Sequence, residues 1–319
     1  MMNLLILDNL AEEYRKALGP KFRDLSISTV KTTIYHEILE KEKMDNLIED
    51  TDILFCTKIS NDLIKRASKL KWIQCRTSGV DYLTSLPSLR KEVLITSTRG
   101  IHGPQMTELA LLLMLALAKN FPRMIENQQN HIWERWSPPL LQDKKIGLLG
   151  VGVCGKELAR KCKALGMTVY GIATAKRKME EVDYFHTSQE LLHVLREVDY
   201  FVILAPLTPQ TEKMIDAKAL AAMKPTAFLI NMGRGEIVDE KALIETLRDG
   251  KIAGAALDSV CTEPLPKDSP LWNMKNAVIT SHMGGYADVY VEQVLSVFEE
   301  NLQRFAKGER DTLLNLIKW

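Results

Sequence analysis

The sequence has no excess of charge of either sign, which excludes one broad class of function. Its 319 residues include 42 lysines and arginines against 41 aspartates and glutamates, a net charge of +1. Proteins that neutralise many nucleic-acid phosphates normally carry a basic excess, so we expect no nucleic-acid partner. A hydrophobic fraction of 46% and a charged fraction of 26% are ordinary for a globular chain and exclude disorder.

Long apolar runs and cysteine pairs are also lacking. The longest apolar run, residues 109–118, is well short of the roughly 20 residues that cross a membrane. The first residues have no basic leader and are interrupted by Asp8, so we expect no signal peptide and no membrane partner. The five cysteines are scattered without a CxxC pair, which favours reduced thiols in the cytoplasm over disulfides or a metal site.

What the sequence does contain is two regions of alternating strand and helix patterns, which predict two α/β domains. From Lys144 onward the strands are almost continuously apolar, as in a parallel sheet covered on both faces. One predicted helix, 106–118, is apolar on all sides and is therefore expected in a core or a subunit interface. The predicted strands are 4–7, 53–56, 72–75, 93–96, 146–149, 168–172, 200–205, 227–231, 253–257 and 278–280, and the other predicted helices include 10–18, 61–67 and 288–307.

Three glycines between strand 146–149 and the next helix form a GxGxxG motif. Gly150 would make the tight turn, Gly152 would let a pyrophosphate approach the backbone, and Gly155 would let helix and strand pack closely. The amino terminus of the helix then offers N–H groups and a positive dipole end to the anion. A glycine turn without a ligand is the alternative, but the βαβ context favours a dinucleotide site.

Several further segments resemble the D-isomer-specific 2-hydroxyacid dehydrogenases. RGIHGPQMTE in particular is most similar to the glyoxylate/hydroxypyruvate reductase branch of that family. The segments are APLTPQT at 205–211, NMGRGEIVDEKALIETLRDGKIAGAALD at 231–258, TEPLPKDSPLW at 262–272, ITSHMGG at 279–285, RTSGVDYL at 76–83 and the interdomain helix region at 99–120.

The resemblance implies an architecture and an activity. Residues 99–285 would form a Rossmann dinucleotide-binding domain, and 1–98 with 286–319 a flavodoxin-like α/β substrate domain, with the active site in the cleft between them. The activity implied is reversible hydride transfer between NADP(H) or NAD(H) and a small 2-oxo acid or D-2-hydroxy acid, such as glyoxylate or hydroxypyruvate. A homodimer formed through helix 106–118 is also implied, although burial inside one subunit would explain that helix equally well.

Three side chains are candidates for the chemistry. Arg234 follows strand 227–231 at the carboxyl edge of the sheet, where its guanidinium can hold a carboxylate and a carbonyl oxygen; a surface loop arginine is the alternative. His282 follows strand 278–280 and is suited to act as general acid in reduction and base in oxidation. The resemblance assigns Glu263 to a hydrogen bond that fixes the His282 tautomer.

Other candidates bind substrate or cofactor. Ser78, Gly79 and Val80 follow strand 72–75 and could offer backbone N–H groups to the substrate carboxylate, or form a plain turn. By the resemblance Asp258 would face the nicotinamide carboxamide. The full set of cofactor-binding candidates is Gly150, Gly152, Val153, Cys154, Gly155, Ala173, Thr174, Lys176, Arg177, Ala205, Pro206, Thr211, Met232, Asp258 and Gly284.

The end of the second strand of the dinucleotide unit predicts which dinucleotide binds. Folds that select NAD place an acid about 20 residues after the glycines, where it accepts hydrogen bonds from the ribose 2′-hydroxyl. Here the strand ends at Ala173 and is followed by Thr174, Lys176 and Arg177, with no acid before Glu180. A hydroxyl and cations suit a 2′-phosphate, so NADP(H) is preferred and NAD(H) is the alternative. A solvated charge run would explain the cations but not the missing acid.

A second class of function remains open at this point. Non-catalytic dinucleotide sensors, such as corepressors, share the same fold. The presence of Arg234, Glu263 and His282 favours the enzyme without excluding the sensor.

Overall fold

The computed structural model describes residues 2–319, which divide into two compact units. The first unit comprises the residues up to Ile101 together with Ala287–Trp319, and the second comprises His102–Tyr286. The sequence predicted the divisions at 98/99 and 285/286. The roles given to the two domains stay predictions.

The first unit is built on a five-stranded parallel sheet with the order β2-β1-β3-β4-β5. This is the strand order of flavodoxin-like folds, so the predicted fold class is confirmed. The strands are β1 (Met2–Asp8), β2 (Leu25–Lys31), β3 (Ile53–Cys56), β4 (Trp72–Cys75) and β5 (Leu94–Thr96), and the helices are α1 (Ala11–Leu18), α2 (Lys41–Leu47), α3 (Asn61–Arg66), α4 (Asp81–Thr84) and the C-terminal helix (Tyr290–Ala306).

The C-terminal helix completes the core of the first unit. It buries apolar residues at helical spacing, among them Val294, Phe298 and Phe305. The Phe298 ring lies 5.0 Å from that of Phe55 on β3, and the Phe305 ring lies 5.0 Å from that of Trp72 on β4. Aromatic pairs of this kind stabilise the fold beyond the effect of the area they bury, which explains why the distant C-terminal helix packs on this sheet.

The second unit is built on a seven-stranded sheet with the order β12-β11-β10-β9-β6-β7-β8, parallel throughout. Six of its strands follow the Rossmann order, and β12 adds a seventh strand beside β11. The predicted fold is therefore confirmed. The strands are β6 (Lys145–Leu149), β7 (Thr168–Ala173), β8 (Tyr184–Thr187), β9 (Tyr200–Ile203), β10 (Phe228–Asn231), β11 (Gly254–Leu257) and β12 (Ala277–Ile279), and the helices are α5 (Gly103–Lys119), α6 (Phe121–Gln129), α7 (Val153–Ala164), α8 (Leu191–Glu197), α9 (Ala217–Ala222) and α10 (Glu240–Arg248).

Helix α5 has one face in the core and one face exposed on the single chain, and the predicted subunit interface stays a prediction. Its inner face, including Leu113 and Met114, packs into the core beside the sheet. Its outer face leaves Leu112 58% and Leu115 40% exposed. The chain then turns at Asn120, which has left-handed backbone angles, and continues as α6. Throughout residues 2–319, no helix combines the length and the apolar character needed to cross a membrane.

Candidate active site

The phosphate loop has the local geometry that its glycines require. Gly150 has a φ of 97°, and a Cβ at that position would lie 2.7 Å from the backbone nitrogen of Ala205. A Cβ on Gly155 would lie 2.3 Å from the Gly150 carbonyl oxygen, whereas a Cβ on Gly152 would meet no atom within 4 Å. Gly150 and Gly155 therefore permit close packing of the backbone, and Gly152 leaves open space at the start of α7. These residues fit a dinucleotide pyrophosphate.

The loop after β7 carries the predicted 2′-phosphate residues. The Arg177 guanidinium donates a hydrogen bond to the carbonyl oxygen of Val151 in the phosphate loop, and it lies 5.6 Å from the centre of the Phe185 ring. Lys176 instead forms an ion pair with Glu190, at 2.9 Å. The structure therefore brings Arg177 to the phosphate loop. Sequence reasoning missed Glu190, whose only signal was the T-x-x-E spacing of a capping box with Thr187.

Further cofactor candidates lie where other strands of this sheet end. After β9, the Thr211 hydroxyl donates to the Pro206 carbonyl oxygen at 2.8 Å and so folds the loop that begins at Ala205. A Cβ on Gly284 would lie 2.8 Å from both the Met232 side chain and a carboxylate oxygen of Asp258. Met232 and Asp258 thus both lie against Gly284, although the three residues come from separate segments.

A buried asparagine shapes the turn that carries Arg234. Asn231, the last residue of β10, is 1% exposed. Its side chain donates to the Arg234 carbonyl oxygen and accepts from the Gly233 N–H, both at 3.0 Å. The Arg234 guanidinium donates back to the Gly233 carbonyl oxygen at 3.0 Å. This network fixes the backbone at Arg234, and sequence reasoning did not single out Asn231.

Glu263 and His282 form a hydrogen-bonded acid–base pair. The Nδ1 atom of His282 lies 3.0 and 2.8 Å from the two carboxylate oxygens of Glu263. Burial raises the pKa of Glu263, but the hydrogen bond and charge of His282, the Val260 N–H and the charge of Arg234 together hold it below its usual value. An ionised Glu263 accepts a hydrogen bond from Nδ1–H and thereby sets the tautomer of His282, which leaves Nε2 for proton exchange.

Asp258 holds the loop that presents His282. Its buried carboxylate accepts hydrogen bonds from the Thr280 hydroxyl at 2.6 Å and from the N–H groups of Met283 and Gly284, each at 2.9 Å. Its carbonyl oxygen accepts from the His282 N–H at 2.8 Å. His282 has a φ of 52°, a left-handed conformation that few residues other than glycine adopt. These four hydrogen bonds account for that conformation, so Asp258 positions His282.

The comparisons with known proteins identify the family of the chain. The sequence profile described as the D-isomer specific 2-hydroxyacid dehydrogenase, NAD binding domain, matches residues 111–284, more than half of the chain. The chain belongs to this family. It is a family of dehydrogenases, and in this member the matched residues lie in the Rossmann unit.

Individual members of the dehydrogenase family are similar over most of the chain. D-3-phosphoglycerate dehydrogenase of Methanocaldococcus jannaschii is 30% identical over 97% of the chain, and the chain spans 58% of the length of that relative. Glyoxylate reductase of Thermococcus litoralis is 31% identical over 85% of the chain and 84% of its own. The crystal structure of the NADPH-dependent glyoxylate/hydroxypyruvate reductase of Sinorhizobium meliloti, in complex with NADP and sulfate, has a TM-score of 0.84 and 26% identity, and covers 100% of this chain and 98% of that one.

The first unit of this dehydrogenase carries the remaining candidates, Ser78, Gly79 and Val80. They lie between the end of β4 and the start of α4. The Gly79 carbonyl oxygen accepts from the Thr77 hydroxyl at 3.1 Å and from the Cys75 thiol at 3.5 Å, which folds the segment into a compact turn. Within the described residues 2–319, no three histidine, cysteine or acidic side chains are grouped as a metal site.

Proposed function

We propose that the protein reduces small 2-oxo acids to D-2-hydroxy acids with a nicotinamide dinucleotide, and that glyoxylate and hydroxypyruvate represent its substrate class. The observation that carries this proposal is the Glu263–His282 pair at the carboxyl edge of a Rossmann sheet. Relatives named glyoxylate reductase and hydroxypyruvate reductase support the substrate class. The free cysteines among the described residues are consistent with a proposed cytoplasmic location.

Each side chain has a definite role in this proposal. His282 gives the proton on Nε2 to the carbonyl oxygen of the 2-oxo acid and takes it back in the oxidation direction. Glu263 stabilises the protonated imidazole and keeps its ring oriented. A reduced nicotinamide, when bound, supplies the hydride for the carbonyl carbon. Asp258 keeps His282 in place through the hydrogen bonds to residues 280–284.

Substrate orientation is assigned to two other groups. The Arg234 guanidinium can bind a carboxylate and a carbonyl oxygen at the same time. This polarises the substrate carbonyl and fixes the orientation of the substrate. In the first unit, the turn containing Ser78, Gly79 and Val80 is proposed to bind the substrate carboxylate through backbone N–H groups. A lysine in place of Arg234 would keep the charge but lose the two-point geometry, so R234K is expected to impair turnover with every 2-oxo acid.

The direct test is turnover by the purified protein. Glyoxylate and hydroxypyruvate are assayed with NADPH and with NADH, and D-3-phosphoglycerate is assayed in the oxidation direction because one relative carries that name. Oxidation of the dinucleotide with hydroxypyruvate, and D-glycerate identified by chiral chromatography, are expected. Dinucleotide binding without turnover of any 2-oxo acid would contradict the proposal and favour a dinucleotide sensor.

NADPH is the proposed preferred cofactor. Ala173 ends β7 without a carboxylate, and the Arg177 guanidinium reaches the phosphate loop, where a 2′-phosphate can accept charge-assisted hydrogen bonds. We expect a higher kcat/KM with NADPH than with NADH, and a smaller ratio in Arg177→Ala and Lys176→Ala. A tenfold preference for NADH would contradict this part of the proposal while leaving the catalytic assignment intact.

The assembly proposed is a homodimer through the outer face of α5 and its neighbour α6. Leu112 and Leu115 are exposed there, and α6 adds Phe121, Met124 and Ile125. Apolar patches of this kind mark protein interfaces in soluble proteins. Sedimentation at micromolar concentration should give twice the 36.1 kDa of one chain. L112E/L115E should shift the mass to that of a monomer and L165E, outside the patch, should not; a monomeric wild type would refute the dimer.

A further inference from the structure

Two charged side chains meet at the edge of the sheet where the adenosine ribose of a dinucleotide is expected. Strands β7 and β8 run parallel, with Ala173 opposite Thr187 at their carboxyl ends. Lys176 follows the first strand and Glu190 follows the second. The Lys176 ammonium lies 3.0 and 2.9 Å from the two carboxylate oxygens of Glu190.

Glu190 is held rigidly in this position. Its carboxylate accepts hydrogen bonds from the Thr187 N–H at 3.0 Å and from the Thr187 hydroxyl at 3.1 Å, which forms a capping box. His186 Nδ1 lies 3.1 Å from the same carboxylate. The Thr187 N–H, Lys176 and His186 hold the pKa of Glu190 far below its usual value, so the group is an anion at every working pH.

We propose that Glu190 sets the cofactor preference, because its carboxylate competes with the 2′-phosphate of NADP(H) for Lys176. This inference rests on the proposed function, in which the edge formed by β7 and β8 receives the adenosine ribose. The end of β7 has no carboxylate of the kind that favours NAD. Glu190, which follows the neighbouring strand β8, places a carboxylate beside that end instead. It can accept a hydrogen bond from a ribose 2′-hydroxyl, and it repels a 2′-phosphate.

The ion pair has a definite consequence for selectivity. In the free protein, Lys176 is neutralised by Glu190, so a 2′-phosphate must draw the ammonium away from its present partner. Arg177, whose guanidinium donates to Val151, is the cation that favours NADPH without this competition. The protein therefore binds both dinucleotides, with a moderate preference for NADPH instead of exclusion of NADH.

The first test is Glu190→Gln, with binding of NADPH and NADH titrated separately to the full chain without substrate. Glutamine can keep the capping hydrogen bond from Thr187 and removes only the charge. We expect NADPH to bind about threefold to tenfold more tightly and NADH to bind no better. Adenosine 2′,5′-bisphosphate and adenosine 5′-phosphate should show the same contrast, which places the effect at the 2′ position. An unchanged NADPH-to-NADH ratio would overturn the inference.

Glu197→Gln is the matched control. Glu197 lies at the other end of α8 and pairs with Lys145 at 2.8 Å, next to the amino end of the sheet. The variant changes the net charge by the same amount and breaks an ion pair of the same kind. Both dissociation constants should stay within about twofold of those of the wild type. An equal gain in NADPH affinity there would assign the effect to net charge and overturn the proposed role of Glu190.

The second test is a rescue experiment. Lys176→Met leaves the Glu190 charge without its partner, so NADPH should bind at least about tenfold more weakly while NADH is little affected. Adding Glu190→Gln to that variant should restore much of the loss. A structural role of the ion pair predicts equal losses for both dinucleotides and no rescue, which would contradict the inference. If neither dinucleotide binds the wild type, the proposed function itself fails.

Discussion

Two acid–base side-chain pairs, one in each unit, differ in their access to solvent. In the first unit, Arg76 lies 3.0 Å from Asp8, with the two side chains 2% and 1% exposed. In the second, His282 lies 2.8 Å from Glu263, with the two side chains 43% and 39% exposed. Both pairs sit near the carboxyl ends of parallel strands, so position in the sheet does not separate them.

Exposure to solvent determines which of the two pairs can act on a bound ligand. Burial raises the pKa of Asp8 in spite of the Arg76 charge, and neither group can exchange a proton with a ligand from this interior position. The buried pair instead fixes the turn after β1. The Asp8 carboxylate accepts from the Leu10 N–H at 2.9 Å, and the Arg76 guanidinium donates to the Asn9 side chain at 3.1 Å. The exposed pair contains a histidine whose ring is open to a substrate, so a proton can pass between the two.

The largest expected effect comes from removing the exposed histidine. His282→Ala should lower turnover by about 10²–10⁴-fold, the usual contribution of a general acid. The measurement is kcat with hydroxypyruvate and NADPH. Dissociation constants for the dinucleotide should stay within about twofold of those of the wild type, which serves as the control for folding. Turnover equal to that of the wild type would remove His282 from the mechanism.

Breaking the buried pair should affect stability more than any change to the exposed pair. Arg76→Met leaves the Asp8 carboxylate buried without its partner, which should cost about 3–5 kcal/mol in the free energy of unfolding. The double variant Asp8→Asn with Arg76→Met should recover part of that loss, because no uncompensated charge remains. Glu263→Gln should cost less than about 1 kcal/mol. Urea denaturation provides the measurement, and similar losses for R76M and E263Q would contradict the comparison.

A pH-dependent effect on stability is expected from two histidines that burial keeps neutral, one in each unit. Burial lowers the pKa of His102 to about 4, and burial with the charges of Arg76 and Lys58 lowers that of His36 to about 4. Unfolded histidine titrates near 6.5. Between these values the unfolded state binds more protons, so stability is retained above about pH 6.5 and lost as pH falls toward 4.

The corresponding measurement compares urea denaturation at pH 7 and pH 4.5. For His102, which is 8% exposed, the loss on acidification is at most about 3 kcal/mol, and His102→Asn should remove it. His36→Asn, with a side chain that tolerates the left-handed backbone at this position, should remove less because His36 is only partly buried. If both variants lose as much stability as the wild type on acidification, burial of these rings is not the cause.

The sequence predicted all the interior strands and two of the four edge strands, β5 and β12. Strands such as β9 and β10 are buried runs of apolar residues, and their bounds agree with the prediction to within two residues. The other two edge strands, β2 and β8, were missed because each mixes polar with apolar residues. Helix α2 was missed because it buries only Met44.

The site could be predicted only where local pattern carried the information. Arg234 and His282 were predicted because each closely follows a strand and lies near glycines, and their roles stay predictions. The predicted hydrogen bond between Glu263 and His282 is present. The roles of Asn231 and Glu190 depend on contacts between segments that are distant along the chain. No local sequence pattern predicts such contacts, so these two roles could be recognised only in the folded structure.

The discontinuous first unit also has a consequence for the order in which the two units are completed during synthesis. The second unit is a single stretch, so its whole core has emerged once Tyr286 is free of the ribosome. The core of the first unit is incomplete until Phe298 and Phe305 have emerged, because these residues pack against Phe55 and Trp72. We therefore expect the second unit to complete its core before the first, the reverse of the usual order in which the N-terminal domain folds first.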